Sequence, residues 1–396
     1  QMEATKYDSA GVDLNSAFTL KTATPLNLTM VKEKLTVEPA VAFQVKETVR
    51  AEEFLITPKE QLEPQQIYKF SLGLEGTTPL KWAFQTKGVF KIVSTLPRDK
   101  GTGVPLNSGI EISFSHPNVE NLNDYFSISP KVEGTFEQHK KTMVFVPKNL
   151  MPGTIYTVTV KKGLPLAGSV ETLGEDYTWQ FETQENPQEE RQFHLSFFKD
   201  VQEFPTGEKP LFQLNYFRFD QGRFPDVKVT VYKYKGAHEY IKAMKQKDKI
   251  PSWAFFSRQK YREDLARLEQ VAKYTLPLRG EEGFSYFELP EALPAGYYVG
   301  EAMVDNAKQQ LWFQVTDLSA YAGVYHDQTV VWVNDLLKGN PAQGAKVQPA
   351  GGGQVAQTGQ DGLATLPTSQ DSSTGVYATI SQGNKEVVLA VPVGNV

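Results

Sequence analysis

The sequence predicts an all-β chain of four tandem β-sandwich domains, with a short helical insertion in the third. Three observations point there. Apolar and aromatic residues alternate with polar ones along most of the chain, as in Ile110, Ile112 and Phe114 or in Phe212, Leu214 and Tyr216. A period of two lets a strand bury one face and wet the other. The first half of the chain repeats itself, and one stretch alone, Ala237 to Lys273, has helical spacing.

At 396 residues the chain exceeds one ordinary core and fits about two to four domains. Hydrophobic residues make up 40% and aromatic residues 12%, enough for several cores, so disorder is not expected. A net charge of −5 argues against a phosphate-binding surface, and no nucleic-acid partner is expected. The absence of cysteine excludes disulfides, thiolate zinc sites and a cysteine nucleophile within these residues. Gln1 to Leu20 lack a basic start followed by an apolar run, so no signal peptide is visible. The most apolar run, Val387 to Val393, falls far short of the ~20 residues that span a bilayer. A soluble segment with no membrane-spanning stretch is expected.

The duplication shows as four ordered matches. Gly11 to Ser16 matches Gly103 to Ser108, and Leu35 to Val41 matches Phe126 to Val132. Pro64 and Tyr68 match Pro152 and Tyr156, and Trp82 to Thr86 matches Trp179 to Thr183. The offsets are 92, 91, 88 and 97, and such a slowly varying series marks two copies of one domain. Pro, Gly and Asn divide the strand-like runs at short intervals, the punctuation of a sandwich. The first copy is the weaker, with Asp13 where the second has Pro105.

Glu185 to Gln192 is polar and contains a proline, which reads as a linker able to hinge. The third domain opens with Phe193, Leu195 and Phe197, and its later strands are expected at Val227 to Tyr234, Phe284 to Leu289, Gly296 to Met303 and Gln309 to Val315. Two helical stretches are expected within 237–273. In the second, Tyr261, Leu265, Leu268 and Ala272 fall on one helix face, with nine Lys/Arg against five Asp/Glu across the insertion. Trp253, Phe255 and Phe256, amid Lys249, Arg258 and Lys260, read as a turn folded onto its own domain, the alternative being a docking surface for a partner. Thr316 to Ser319 form a very short join. Then come a buried strand at Thr329 to Val333, a tight turn at Gly339 to Gly344 and a returning strand to Val347 and beyond. Further strands are expected near 363–366, 375–381 and 386–392, with a turn at Asp361-Gly362. The domain division is 1–88, 89–187, 188–318 and 319–396.

Nothing in the sequence marks a catalytic, cofactor-binding or metal site. Of the five histidines, His116, His139, His194, His238 and His326, none lies within 22 residues of another, so no local metal pair exists. No G-x-S-x-G elbow or S-x-x-K motif is present, and Gly351-Gly352-Gly353 is followed by Gln354 rather than Gly-Lys, a hairpin tip rather than a phosphate loop. Adjacent carboxylates such as Glu281-Glu282 and Glu263-Asp264 are solvated charges. Asp200, Asp220 and Asp226 lack EF-hand spacing.

Several stretches also resemble known families. Gly103 to Phe114, the segment around Pro152 and Tyr156, and Trp179 to Thr183 are similar to bacterial Ig-like domains, as is the first copy. Leu293 to Tyr298, Gln314 to Leu318, Val331 to Leu336 and Gly339 to Val347 resemble the macroglobulin-like domains of bacterial α2-macroglobulins. The resemblance implies a noncatalytic N-terminal scaffold arm of a broad-spectrum protease inhibitor of the cell envelope or secreted space, periplasmic, cell-surface or secreted. Proteins of that family trap proteases: a bait is cut, the molecule closes, and a thioester, where present, bonds the protease. With no cysteine and no long loop in this chain, bait and thioester are expected elsewhere. No cofactor is implied. The implied partners are further macroglobulin-like domains of the same parent chain and, through the full-length protein, host or competitor proteases. A cell-surface stalk or adhesin of Ig-like domains is the alternative. A carbohydrate-binding role would require exposed aromatics in a planar row, whereas the aromatics here mostly alternate as core.

Overall fold

A computed structural model describes residues 1–396 apart from 51, 75, 77, 187–194, 217–224, 282, 326–327, 369–375 and 392–396. Strands account for 51% and helices for 8% of the chain. It divides into two compact units, Gln1–Gln184 and Glu185–Val396.

The first unit holds two sandwich cores. In the first, strands Met2–Ala4, Phe18–Lys21, Glu53–Pro58 and Phe43–Glu47 pair in that order, and Leu35–Glu38, Ile67–Leu72 and Leu80–Gln85 form a second sheet. Phe18, Phe54 and Phe70 fill the space between them. In the second, Ile92–Leu96, Ile110–Phe114, Thr142–Pro147 and Gly134–His139 form one sheet. Gly101–Val104, Tyr177–Thr183, Ile155–Val160 and Phe126–Ser129 form the other. The alternating Ile110, Ile112, Tyr156, Val158, Trp179 and Phe181 are its core.

The sequence repeat is a structural one, down to single hydrogen bonds. The Tyr68 hydroxyl accepts from the Glu63 N–H at 2.9 Å, and that of Tyr156 from the Met151 N–H at 2.9 Å. Thr86 Oγ1 donates to the Glu63 carbonyl, and Thr183 Oγ1 to that of Met151, both at 2.6 Å. Val12 pairs in parallel with Thr86, as Val104 does with Thr183. Each set ties the loop before a core tyrosine to the end of the last strand, meeting backbone groups that the turn would otherwise leave unpaired.

In the second unit, one sheet of the third sandwich runs Leu195–Phe197, Leu211–Tyr216, Phe284–Glu288 and Arg279–Glu281. The other runs Val201–Phe204, Ala307–Val315, Gly296–Val304, Asp226–Lys233 and Glu269–Pro277. In the fourth sandwich, Leu318–Tyr325 pairs with Gln328–Asp335, which also pairs with Leu363–Pro367. The facing sheet runs Ala356–Gln357, Lys346–Pro349, Val376–Gln382 and Lys385–Val391. Gly362, at φ +75°, makes the expected turn before Leu363.

Two expectations are corrected. The helical insertion does not extend over 237–273. Helices occupy Ala237–Asp248 and Phe255–Lys260, and Glu269–Pro277 is a strand. Ala272, Tyr274 and Leu276 alternate inward onto the core, and the whole segment pairs with Asp226–Lys233. A ladder along an edge strand that otherwise has open backbone groups outweighs weak local helix spacing. Tyr261, Leu265 and Leu268 do share a side, packing on a single apolar cluster, but from coil. Second, the return after the turn is short: Asn340–Pro341 pairs antiparallel with Asn334 and Asp335 of Gln328–Asp335, but the chain then crosses, and Lys346–Pro349 lies in the other sheet. Within 253–256, Phe256 is buried and Phe255 half exposed.

Candidate functional site

The site is the junction of the third and fourth sandwiches, built on strand Ala307–Val315. A sandwich strand normally buries one face, but this one buries both. Ala307, Leu311, Phe313 and Val315 enter the sandwich core. Trp312, on the opposite face, joins Tyr297 and Val299 beneath the insertion helix Ala237–Asp248 and beside Tyr377 and Val388 of the fourth sandwich. Tyr240, Ile241, Ala243 and Met244 form the apolar stripe by which the helix covers that sheet.

Polar groups weld the edges of this cluster. Gln314 Nε2 donates to the Val388 carbonyl at 2.7 Å, and its Oε1 accepts the Val388 N–H at 2.9 Å. Thr316 Oγ1 donates to the Glu386 carbonyl at 2.7 Å and accepts from the Leu318 N–H at 3.1 Å. The Tyr297 hydroxyl donates to the Glu386 carboxylate at 2.8 Å, and that of Tyr377 to Asp248 on the insertion helix. Asp317 accepts from the backbone and hydroxyl of Thr206, holding the join against the third sandwich. Asp335 takes an ion pair from Lys385 at 2.7 Å and the Leu337 and Lys338 N–H groups.

The electrostatics are those of a closed joint. Burial, then the neighbouring carboxylates, push the Tyr297 and Tyr377 hydroxyls well above the ordinary phenol range, so they stay protonated donors. Burial raises Glu203, against the lowering effect of its bond from Gln314. The Lys385 hydrogen bond lowers Asp335. Trp312 Nε1 donates to Tyr234 Oη at 3.2 Å, and the Lys247 ammonium lies 5.1 Å from the Trp312 ring centre. Among the described residues no group here faces another as nucleophile and base. The arrangement fixes geometry.

A second polar cluster lies in the first unit. Buried Lys87 pairs with Asp13 and, at 2.6 Å, with Asp8. Asp13, which stands where the second copy has Pro105, is thus a counter-ion that only the first copy needs, since Gln184 occupies the place of Lys87 there. His116 is 1% exposed, with Nδ1 at 2.7 Å from Ser115 Oγ and Nε2 at 4.0 Å from the largely covered carboxylate of Glu171. Burial, then Lys87, holds its pKa below 6.5, and burial raises Glu171. Sequence reasoning missed this cluster, whose members are too far apart in the chain for a spacing rule. The one local signal was the odd Asp13.

His139 is exposed beside Glu137, and His238 is exposed on the insertion helix; His194 and His326 lie outside the described residues, as do Asp220, Glu282 and most of the linker. Among the described residues no three His, Asp or Glu side chains are grouped to hold a metal, and no helix is long and apolar enough to cross a membrane. Most aromatics serve the core, but Tyr321, Trp332 and the apolar Leu363 are directly paired neighbours on three adjacent strands, exposed by 70%, 46% and 41%.

Fold and junction together define a tandem β-sandwich protein, and residues 87–183 match the bacterial Ig-like domain. Comparison with curated protein sequences gives no match. Among solved structures the chain is similar to native α2-macroglobulin from Escherichia coli spanning domains MG0-NIE-MG1, at 17% identity over 76% of this chain and 96% of that one, with a TM-score of 0.35. It is similar to the NIE-MG1 segment of the same protein at 15% identity over 50% and 95%, with a TM-score of 0.36. The native conformation of E. coli α2-macroglobulin seen by cryo-EM is matched at 17% identity over 76% of this chain, with a TM-score of 0.30. The chain spans 19% of that protein's length.

Proposed function

We propose that this chain is a noncatalytic N-terminal scaffold segment of a bacterial α2-macroglobulin-like protease inhibitor, outside the cytoplasm, with the bait and any thioester beyond these residues. One observation carries this reading. The residues that resemble macroglobulin-like domains are those that weld the two sandwiches: Tyr297, Gln314, Thr316, Asp317 and Asp335 all bond at or across the junction. A joint held by buried, hydrogen-bonded polar groups is rigid, which suits a molecule that must close around a protease. The bacterial Ig-like match at 87–183 supports the compartment, and the division into domains at 1–88, 89–187, 188–318 and 319–396 belongs to the same reading.

The exposed row of Tyr321, Trp332 and Leu363 supports a further sandwich of the parent chain as partner, because an apolar patch of this kind marks a contact surface. The test has two arms, in which proteases of several classes are offered a large protein substrate. The segment alone is expected to give no protection and the parent chain stoichiometric protection. Protection by 1–396 alone, or none by the parent, overturns the proposal.

A further inference from the structure

Two adjoining clefts, of about 380 and 740 Å³, lie between the insertion helix and the fourth sandwich and share Lys245, Pro349 and Gly352 as lining. Their walls differ in character. The helix contributes His238, Lys242 and Lys245, together with its C-cap residue, Lys249, which continues the helical backbone. The sandwich contributes Pro349, Leu366, Tyr377 and Val391. Among the described residues the lining contains no carboxylate, and none of the three lysines forms an ion pair. This concentrates positive charge on a chain whose net charge is −5.

We infer that this cleft binds an extended acidic polypeptide segment carrying an apolar side chain. Lys242, Lys245 and Lys249 stand at i, i+3 and i+7, so they share one helix face and the outer two are ~10 Å apart along the axis. In an extended polyproline II segment, with three residues per turn and a rise of ~3.1 Å, residues i and i+3 share one face and are ~9 Å apart. An extended peptide with carboxylates at that spacing therefore meets both outer lysines at once. A side chain between them points at the apolar wall formed by Pro349, Tyr377 and Val391. The volumes fall in the range of sites that enclose a few side chains. A long polyphosphate suits the cleft less well: it would run beyond these cations onto a protein of net negative charge. The hairpin tip Gly351-Gly352-Gly353 fits the same reading, because its glycines leave the rim open, with no heavy atom within 4 Å of a Cβ added at any of the three.

The test uses the whole chain and a fluorescently labelled synthetic peptide, with an aspartate and a glutamate three positions apart and a leucine between them. Anisotropy at low salt is expected to show saturable binding that weakens as salt rises. The triple variant Lys242→Gln, Lys245→Gln, Lys249→Gln should lose at least about tenfold in affinity, roughly 1.4 kcal/mol. Gly351→Glu is an independent second variant. It adds a carboxylate at the open rim without filling the core, and it should also weaken binding while leaving the unfolding temperature unchanged. Absence of binding to the wild type, or unchanged affinity in the triple variant, overturns the inference. So does equal affinity for polyglutamate or an oligonucleotide, which would make the cleft a charge patch indifferent to the apolar side chain.

Discussion

The side-chain amide of Gln314 and the backbone of Val388 exchange two hydrogen bonds, at 2.7 and 2.9 Å, as two residues of neighbouring strands would. Gln314 is 3% exposed, so neither partner has water to fall back on. A glutamine at the end of one sandwich thus acts as a rung of ladder for the edge of the next.

Gln314→Leu is therefore expected to cost about 2–4 kcal/mol, because it leaves the Val388 N–H and C=O buried without partners. Urea unfolding of residues 185–396 measures it. A change within about 0.5 kcal/mol, typical of surface substitutions, would mean that the joint is wet or remodelled in solution.

The apolar cluster shared by the insertion helix and both sandwiches predicts that residues 185–396 unfold as one cooperative unit. Met244→Asp would place an unpaired charge among Tyr240, Trp312 and Val388. It should split the single calorimetric transition into two, one for each sandwich. Two transitions already present in the wild type would show that the cluster does not couple them.

Stability of the first unit should depend on pH through His116. Its folded pKa lies below the ordinary 6.5 because burial and Lys87 disfavour the cation, so the unfolded chain binds the extra proton. The native state is thus fully favoured above pH 6.5 and loses stability as pH falls from 6.5 toward the folded value. Glu171 acts oppositely. Burial raises it above 4.5, so its cost is relieved as pH falls through the folded value toward 4.5. His116→Gln should flatten the decline below 6.5, whereas Glu171→Gln should stabilise the unit at neutral pH. Thermal unfolding of residues 1–184 across this range checks both signs, and an unchanged profile in His116→Gln would refute the assignment.

Gly362→Ala should destabilise the fourth sandwich by at least about 1–3 kcal/mol. Its φ of +75° is unfavourable for alanine, and an added Cβ would lie 2.6 Å from the Val333 carbonyl oxygen. Gly351→Ala, whose Cβ meets no heavy atom within 4 Å, should be nearly neutral. Equal melting temperatures for the two variants would contradict the turn geometry.

The sequence alone determined the features that depend on neighbours along the chain. Alternation placed the core residues Ile110, Ile112, Phe212 and Leu214, the duplicated segments anticipated the paired hydrogen-bond sets at Tyr68 and Tyr156, and Asp361-Gly362 marked its turn. These signals are local because strand pleat and turn dihedrals are set within a few residues. Tertiary structure decided the rest. Glu269–Pro277 carries spacing compatible with a helix, yet becomes a strand because Asp226–Lys233 offers it an edge. Ala307–Val315 reads as an ordinary strand, and only the insertion helix and the fourth sandwich make its outer face a buried one. Lys87 and Asp13 are 74 residues apart and Gln314 and Val388 also 74. No period or motif links such positions, because the energy that pairs them appears only after folding has removed their water.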